Sequence, residues 1–170
     1  MTADNDNSIQ SQGLYVWQAD NLLAATKTLA GHWQFGAVPV ESNNDANKPI
    51  SSTRIATDTR TIKTGDIFLA LTGDNFNGHD YLDIAIEKGA VAAIVSRPVA
   101  ADIAQLVVDD TRLALGQLAA YRRQQHKDLT VIAITGSSGK TTCKEMLGSI
   151  FGRLAPTLIT RGNLNNDLGV

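Results

Sequence analysis

The strongest indication of the fold is the segment Ile132-Ala-Ile-Thr-Gly-Ser-Ser-Gly-Lys-Thr-Thr142. An apolar segment, 129–134, leads into two glycines, and a Lys-Thr pair then opens a run whose apolar residues share one side: Met146, Leu147, Ile150 and Phe151. This order predicts a strand, a glycine loop and an amphipathic helix, with a further short strand over 157–160.

A glycine loop between a strand and a helix is typical of phosphate binding. Backbone N–H groups bind phosphate oxygens, and glycines let the main chain approach the ligand closely. The helix N-terminus adds partial positive charge, and a lysine adds a full one. We therefore predict ATP binding by Gly136, Ser137, Ser138, Gly139, Lys140, Thr141 and Thr142. Lys140 is the candidate catalytic residue, and the Thr141 hydroxyl is the candidate ligand of Mg²⁺.

The spacing differs from the strict phosphate-loop pattern, which requires a glycine at the position of Ile134. Gly136 stands two residues later, so the loop resembles a shorter glycine variant. The absence of strict spacing disfavours a kinase or another phosphate-loop ATPase. A plain Gly-Ser turn that carries a lysine by chance is the competing interpretation. The coincidence of strand, glycines, Lys-Thr and amphipathic helix favours the phosphate loop.

Strands and helices alternate upstream of the loop, which predicts an α/β fold with parallel sheets covered by helices. A helix is expected over roughly 18–30 and a surface loop over 41–49. The later elements are an extended segment 51–59, strands 67–71, 91–95 and 106–108, a loop at 72–79, a helix from Tyr81 to near Gly89, and a helix capped by Asp110 or Thr111.

That last helix becomes strongly polar over 122–127, which suits both a helix C-terminus and the approach to a linker. We place a domain boundary near Lys127 and Asp128. The predicted organisation is a flexible tail over 1–13, a first domain over 14–127, and the beginning of a second, incomplete domain over 128–170.

Composition excludes several classes of protein. Hydrophobic residues make up 43% of the 170 residues, and the formal net charge is -2, so no basic field is available for nucleic acid. The polar N-terminus is unlike a signal peptide, and no apolar run is long enough for a membrane span. We expect a cytoplasmic, monomeric protein that does not insert into membranes.

The remaining reactive side chains receive no catalytic role. Cys143, the single cysteine, falls in the first turn of the predicted helix, where a thiolate would be favoured. Because the sequence places no base beside it, a small buried helix residue is the preferred interpretation. The three histidines, His32, His79 and His126, lack metal-ligand spacing.

Two segments together resemble the Mur ligases of bacterial cell-wall synthesis. They are the loop with its continuation Cys143-Lys-Glu-Met146, and Gly162-Asn-Leu-Asn-Asn-Asp-Leu-Gly-Val170. Within the family, the combination of these two segments resembles that of the members that add D-alanyl-D-alanine. The resemblance extends through the first domain in Asp58-Thr-Arg60, Gly65-Asp-Ile-Phe-Leu-Ala-Leu71 and Gly73-Asp-Asn-Phe-Asn-Gly-His-Asp80. It covers the chain from about Ser52 onward.

The resemblance implies two sets of site residues. The first domain would bind the UDP end of UDP-N-acetylmuramoyl-tripeptide, through Thr57, Thr59, Arg60, Asp74, Asn75 and Phe76. The amide cluster would lie beside ATP and substrate, with Asn163 and Asn166 on ATP and Asn165 on substrate. The competing structural interpretation makes Asp58-Thr-Arg60 a turn and the asparagines ordinary loop formers.

The activity implied by the resemblance is ATP-dependent joining of a carboxylate to an amine. The tripeptide carboxylate would take the γ-phosphoryl of ATP, and the amine of D-alanyl-D-alanine would displace phosphate from the acyl phosphate. The family's further metal ligands, modified lysine and C-terminal domain would lie beyond Val170, so we expect no ligase activity from these residues alone. A non-catalytic nucleotide-sugar binding module is the alternative.

Overall fold

The computed structural model describes residues 15–35, 50–73 and 76–160. The chain folds as two compact units. One is Tyr15–Gln125, and the described part of the other is 126–160.

The first unit is built on a five-stranded sheet with two small antiparallel pairs beside it. Strand order in the large sheet is β2 (His32–Phe35), β9 (Ala104–Val107), β8 (Ala92–Val95), β5 (Ile67–Leu69) and β4 (Ile55–Ala56). The small pairs are β1 (Trp17–Gln18) with β3 (Ser51–Ser52), and β6 (Thr72–Gly73) with β7 (Phe76–Asn77).

Helices cover both faces of the large sheet. They are α1 (Ala19–Ala25), α2 (Leu82–Glu87) and α3 (Thr111–Gln124). Successive strand residues point to opposite faces, so Leu69 and Ile94 pack with Leu22 and Leu118 of α1 and α3. Phe68, Ala93 and Val95 pack with Leu82 and Ala85 of α2 on the other face. This two-sided burial explains why β5 and β8 are apolar throughout.

The predicted strands and helices of this unit are confirmed, with ends that differ by a few residues. Asp110 caps α3, because its carboxylate accepts from the N–H groups of Arg112 and Leu113 at 2.7 and 2.9 Å. The first predicted helix is α1 followed by a 3-10 turn, Lys27–Leu29. The extended segment 51–59 is broken into β3, β4 and a 3-10 turn, Thr59–Thr61.

The parallel sheet expected from the sequence is confirmed, with one antiparallel strand added at its edge. Strands β4, β5, β8 and β9 are parallel, whereas β2 pairs antiparallel with β9 from His32↔Val107 to Phe35↔Ala104. The sheet is therefore mixed. An antiparallel edge strand is a common addition to a parallel sheet.

The second unit contains α4, Lys140–Phe151, which confirms the predicted helix after the glycine loop. No strand is found at 129–134 or 157–160 within the described residues, so these two expectations are wrong. A strand exists through hydrogen bonds to a neighbour, and neither segment has a ladder partner there. Apolar residues of this unit stay exposed: Leu129, Val131, Ile132, Met146, Ile150, Leu154 and Leu158.

None of the helices that the structure describes has the length and apolar character needed to cross a bilayer.

Candidate functional site

The glycine loop before α4 has the backbone geometry that its sequence requires. Gly136 and Gly139 have φ angles of 150° and 77°, a region that residues with a side chain rarely adopt. An added Cβ at Gly139 would meet nothing within 4 Å. The glycines are therefore needed for conformation rather than for space inside this unit.

Helix α4 begins directly after Gly139, which stands at the N-cap position. The first intrahelical bond runs from the Cys143 N–H to the Gly139 carbonyl at 2.9 Å. The N–H groups of Lys140, Thr141 and Thr142 consequently precede the helical ladder and have no partner within it. No acidic residue lies in the first turn of this helix, so no side chain there offsets its partial positive charge.

Lys140 directs its ammonium back over the loop. Its Nζ donates to the Gly136 carbonyl, so the side chain spans the loop from the helix to the first glycine. Ser137 and Ser138, between the two glycines, are exposed. The residues predicted for the phosphate loop are thus contiguous, accessible and arranged around one helix N-terminus.

Thr141 is exposed in the first helical turn. Magnesium usually keeps several waters and takes only one or two protein oxygens together with substrate phosphates, so a single hydroxyl beside a phosphate loop fits this ion. Within the described residues, no group of three or more His, Cys, Asp or Glu side chains could form a metal site of another kind.

Cys143 is exposed, so the expectation that it is a small buried helix residue is wrong. It lies on a part of α4 whose neighbouring side chains, Thr142 and Met146, are also exposed. The structure therefore gives this thiol a solvent-facing position rather than a packing role.

The predicted substrate residues of the first unit that the structure describes follow the carboxyl ends of parallel strands. The carboxyl ends of β4, β5 and β8 lie side by side at one sheet edge, the edge at which open α/β sheets bind ligands. Thr57 directly follows β4, and Phe76 lies in the hairpin β6–β7 that follows β5. Asp74, Asn75, Asn163, Asn165 and Asn166 lie outside the described residues.

Thr59 and Arg60 occupy the 3-10 turn after β4. Asp58 caps this turn by accepting from the Arg60 N–H at 2.9 Å, and its carboxylate also pairs with the Arg60 guanidinium. The hydrogen bonds from Arg60 lower the pKa of Asp58 to about 2. Lys88 donates to the Thr59 carbonyl at 2.8 Å. The turn interpretation of Asp58 is therefore realised, and a substrate role for Thr59 and Arg60 stays a prediction.

A cavity of about 680 Å³ opens at the carboxyl ends of β5 and β8. Phe76 lines it, whereas Thr57, Thr59 and Arg60 do not. Its other lining residues combine polar, aromatic and charged groups: Thr72, Gly73, Asn77, His79, Asp80, Tyr81, Ser96 and Arg97.

Several cavity residues could not be identified from the sequence. His79 lacks metal-ligand spacing, and Ser96 and Arg97 follow a buried strand without a recognisable motif. The sequence does contain one signal for this cavity. Turn-forming asparagine and glycine residues surround His79 and follow an apolar strand.

The chain matches two family models in the order of its two units. Residues 52–123 match "Mur ligase family, catalytic domain", and residues 134–170 match "Mur ligase middle domain". The chain belongs to the Mur ligase family.

Relatives of one activity are prominent among the similar proteins. The chain is 53% identical over 116 residues to the UDP-N-acetylmuramoyl-tripeptide--D-alanyl-D-alanine ligase of Escherichia coli, with 68% of this chain and 25% of that protein covered. For the enzyme of the same name from Haemophilus influenzae, identity is 48% over 122 residues, covering 69% of this chain and 26% of that protein. The chain thus spans about a quarter of the length of these relatives.

Solved structures of the same family are also similar to this chain. The chain is similar to a crystal structure of MurF from Acinetobacter baumannii, with a TM-score of 0.78, 55% identity, and coverage of 92% of this chain and 32% of that one. It is also similar to the MurF ligase of Thermotoga maritima in complex with ADP, with a TM-score of 0.59, 35% identity, and coverage of 68% and 27%.

Proposed function

We propose that this chain supplies nucleotide-binding and substrate-binding parts of an ATP-dependent ligase that adds D-alanyl-D-alanine to UDP-N-acetylmuramoyl-tripeptide in peptidoglycan precursor synthesis. The observation that carries the proposal is the glycine loop with Lys140 bonded across it, at the N-terminus of α4. Relatives named for this activity, at up to 53% identity, support it, as does a similar ligase in complex with ADP.

The second unit would hold ATP. The N–H groups of Gly136–Thr142 would bind phosphate oxygens, and Lys140 would exchange its bond to the Gly136 carbonyl for the β- and γ-phosphates. The Thr141 hydroxyl would hold Mg²⁺, which would supply neutralisation of phosphate charge. Asn163 and Asn166 are proposed to complete the ATP site and Asn165 to contact the substrate.

The first unit would hold the UDP end of the substrate at the carboxyl edge of its sheet. Thr57 and Thr59 offer hydroxyl groups, Phe76 offers an exposed ring for stacking, and Asp74 and Asn75 precede it in the sequence. Arg60 would provide a cation for phosphate only by sharing or leaving its ion pair with Asp58.

The chemical step is mainly one of charge and position. A carboxylate resists attack by an amine until phosphorylation gives it a good leaving group. In such a step the protein orients the reacting groups and stabilises the charge that develops on phosphate oxygens. Loop amides and Lys140 would perform this function. We further propose that the protein is a monomer of the cytoplasm, and that these 170 residues alone do not turn over substrate.

Calorimetric titration tests the two units separately. We expect Mg²⁺–ATP to bind the chain through the loop and UDP-N-acetylmuramoyl-tripeptide to bind through the first unit. Binding of the UDP compound without any ATP binding would instead support a non-catalytic nucleotide-sugar module. Phosphate release that depends on both tripeptide and D-alanyl-D-alanine would disprove the expected inactivity of the isolated chain.

A further inference from the structure

His79 is buried at the floor of the cavity, with 4% of its surface exposed. Both ring nitrogens have hydrogen-bond partners: Nδ1 lies 2.8 Å from Asn77 Oδ1, and Nε2 lies 2.9 Å from the Ser96 backbone N. A backbone N–H can only donate, so Nε2 must accept and Nδ1 must carry the proton. The structure therefore defines one neutral tautomer.

The two partners of His79 belong to different parts of the cavity wall. Asn77 ends the hairpin β6–β7 that carries Phe76, and its amide also donates to Asp80 Oδ1 at 3.1 Å. Ser96 directly follows β8 and precedes Arg97. The Ser96 hydroxyl lies 3.1 Å from the same Nε2. One imidazole thus joins the hairpin to the end of a neighbouring strand.

We propose that His79 is a positioning residue for the nucleotide-sugar site: it fixes the hairpin that presents Phe76 against Ser96 and Arg97, without itself contacting the ligand. This inference rests on the proposed function of the first unit. The class of ligand follows from the lining, since Arg97 suits a phosphate group and the exposed rings of Phe76 and Tyr81 suit a planar base.

The two hydrogen bonds that join the His79 ring to Asn77 and to the Ser96 N–H, here called the clamp, are sensitive to protonation. A proton on Nε2 would remove the acceptor for the Ser96 N–H and place two donors face to face. Burial and, after it, the charge of Arg97 lower the pKa of His79, while Asp80 opposes them. Tyr81 is a further titratable group on the cavity wall. Because the folded pKa lies below the ordinary value, the clamp is intact at neutral pH and is lost as pH falls through that lowered value.

The test compares His79→Gln and His79→Ala with wild type, using the full chain and UDP-N-acetylmuramoyl-tripeptide as the probe. Its diphosphate is esterified at both ends and therefore lacks the proton that titrates at about pH 6 in a phosphate monoester. Glutamine can accept from Ser96 and does not titrate. We expect alanine to weaken binding roughly tenfold at neutral pH, the effect of losing the acceptor for the part-buried Ser96 N–H. The affinity of His79→Gln should stay within about threefold of the wild-type value.

A pH series separates positioning from general stability. Wild-type affinity should fall as the pH is lowered through the depressed pKa of His79 and that of His79→Gln should not, after correction for unfolding at each pH. His32→Ala on the edge strand β2, outside the cavity, is the matched control and should follow wild type. Equal affinities and equal pH profiles for wild type and His79→Ala would overturn the inference while leaving the proposed function intact. Failure of wild type to bind the probe at any pH would overturn both.

Discussion

Lys140 Nζ donates to the carbonyl oxygen of Gly136, so the cation of the loop is held at the loop's own first glycine. A carbonyl is a weaker partner for an ammonium group than a phosphate oxygen. The side chain is therefore already near the place where phosphate charge would need it, and its present bond is one that an anion can replace.

Removing this cation should weaken nucleotide binding. We expect Lys140→Ala to raise the dissociation constant for Mg²⁺–ATP by roughly tenfold to a hundredfold, because hydrogen bonds to charged groups contribute about 1.5–3 kcal/mol. Titration calorimetry measures the change. Lys127→Ala removes an exposed cation before the loop and should leave the affinity within about twofold. Equal affinities for Lys140→Ala and wild type would refute the role of Lys140 in ATP binding.

Gly139 and Gly116 form a matched pair for testing backbone conformation. Gly139→Ala should weaken Mg²⁺–ATP binding, since φ of 77° costs a residue with a side chain about 1–2 kcal/mol. Gly116→Ala should stabilise the first unit by about 0.5–1 kcal/mol, because it lies within α3 with open space at its Cβ position. ATP titration and thermal unfolding report the two effects. A neutral result at Gly139 would show that its backbone conformation is not required.

Leu118 and Leu113 test which face of α3 packs on the sheet. Leu118 is 1% exposed and Leu113 is 58% exposed on the same helix. Leu118→Ala should lower the free energy of unfolding by about 2–5 kcal/mol, whereas Leu113→Ala should change it by less than about 0.5 kcal/mol. Urea unfolding measures both. Similar losses at the two positions would contradict the orientation of this helix.

Asp58 should titrate well below an ordinary aspartate. Its pKa of about 2 comes first from the side-chain hydrogen bond to Arg60 and then from the Arg60 N–H. A depressed pKa adds stability above the unfolded value, which is lost as pH falls toward about 2. Carboxyl NMR titration should show this value rising toward the ordinary one in Arg60→Ala. An unchanged pKa in that variant would show that the pair does not form in solution.

Local chemistry explains what could be predicted from the sequence. Asp110 caps α3 through a hydrogen bond two residues away, and Gly139 has a positive φ of the kind that glycine adopts readily. Both features depend on neighbours in the chain. The apolar strands β5 and β8 are likewise evident, because burial on both faces demands continuous apolar residues.

Long-range pairing explains what could not be predicted. Strand β2 contains the mixed run His32–Phe35, and it exists because it pairs with β9, about seventy residues later. His79 acquires its position through Ser96, seventeen residues further along the chain. Conversely, 129–134 has the composition of a strand, but the described residues contain no neighbour to pair with it. Composition sets a preference, and a hydrogen-bond partner decides the outcome.

The exposed thiol of Cys143 also has a practical consequence. It is the single cysteine of the sequence, and it lies in the first turn of α4, one residue beyond the predicted phosphate-binding segment. An environment-sensitive fluorophore can therefore be attached there without introducing or removing any other thiol. The chain carries its own labelling position, from which nucleotide occupancy of the adjacent loop can be followed optically in real time.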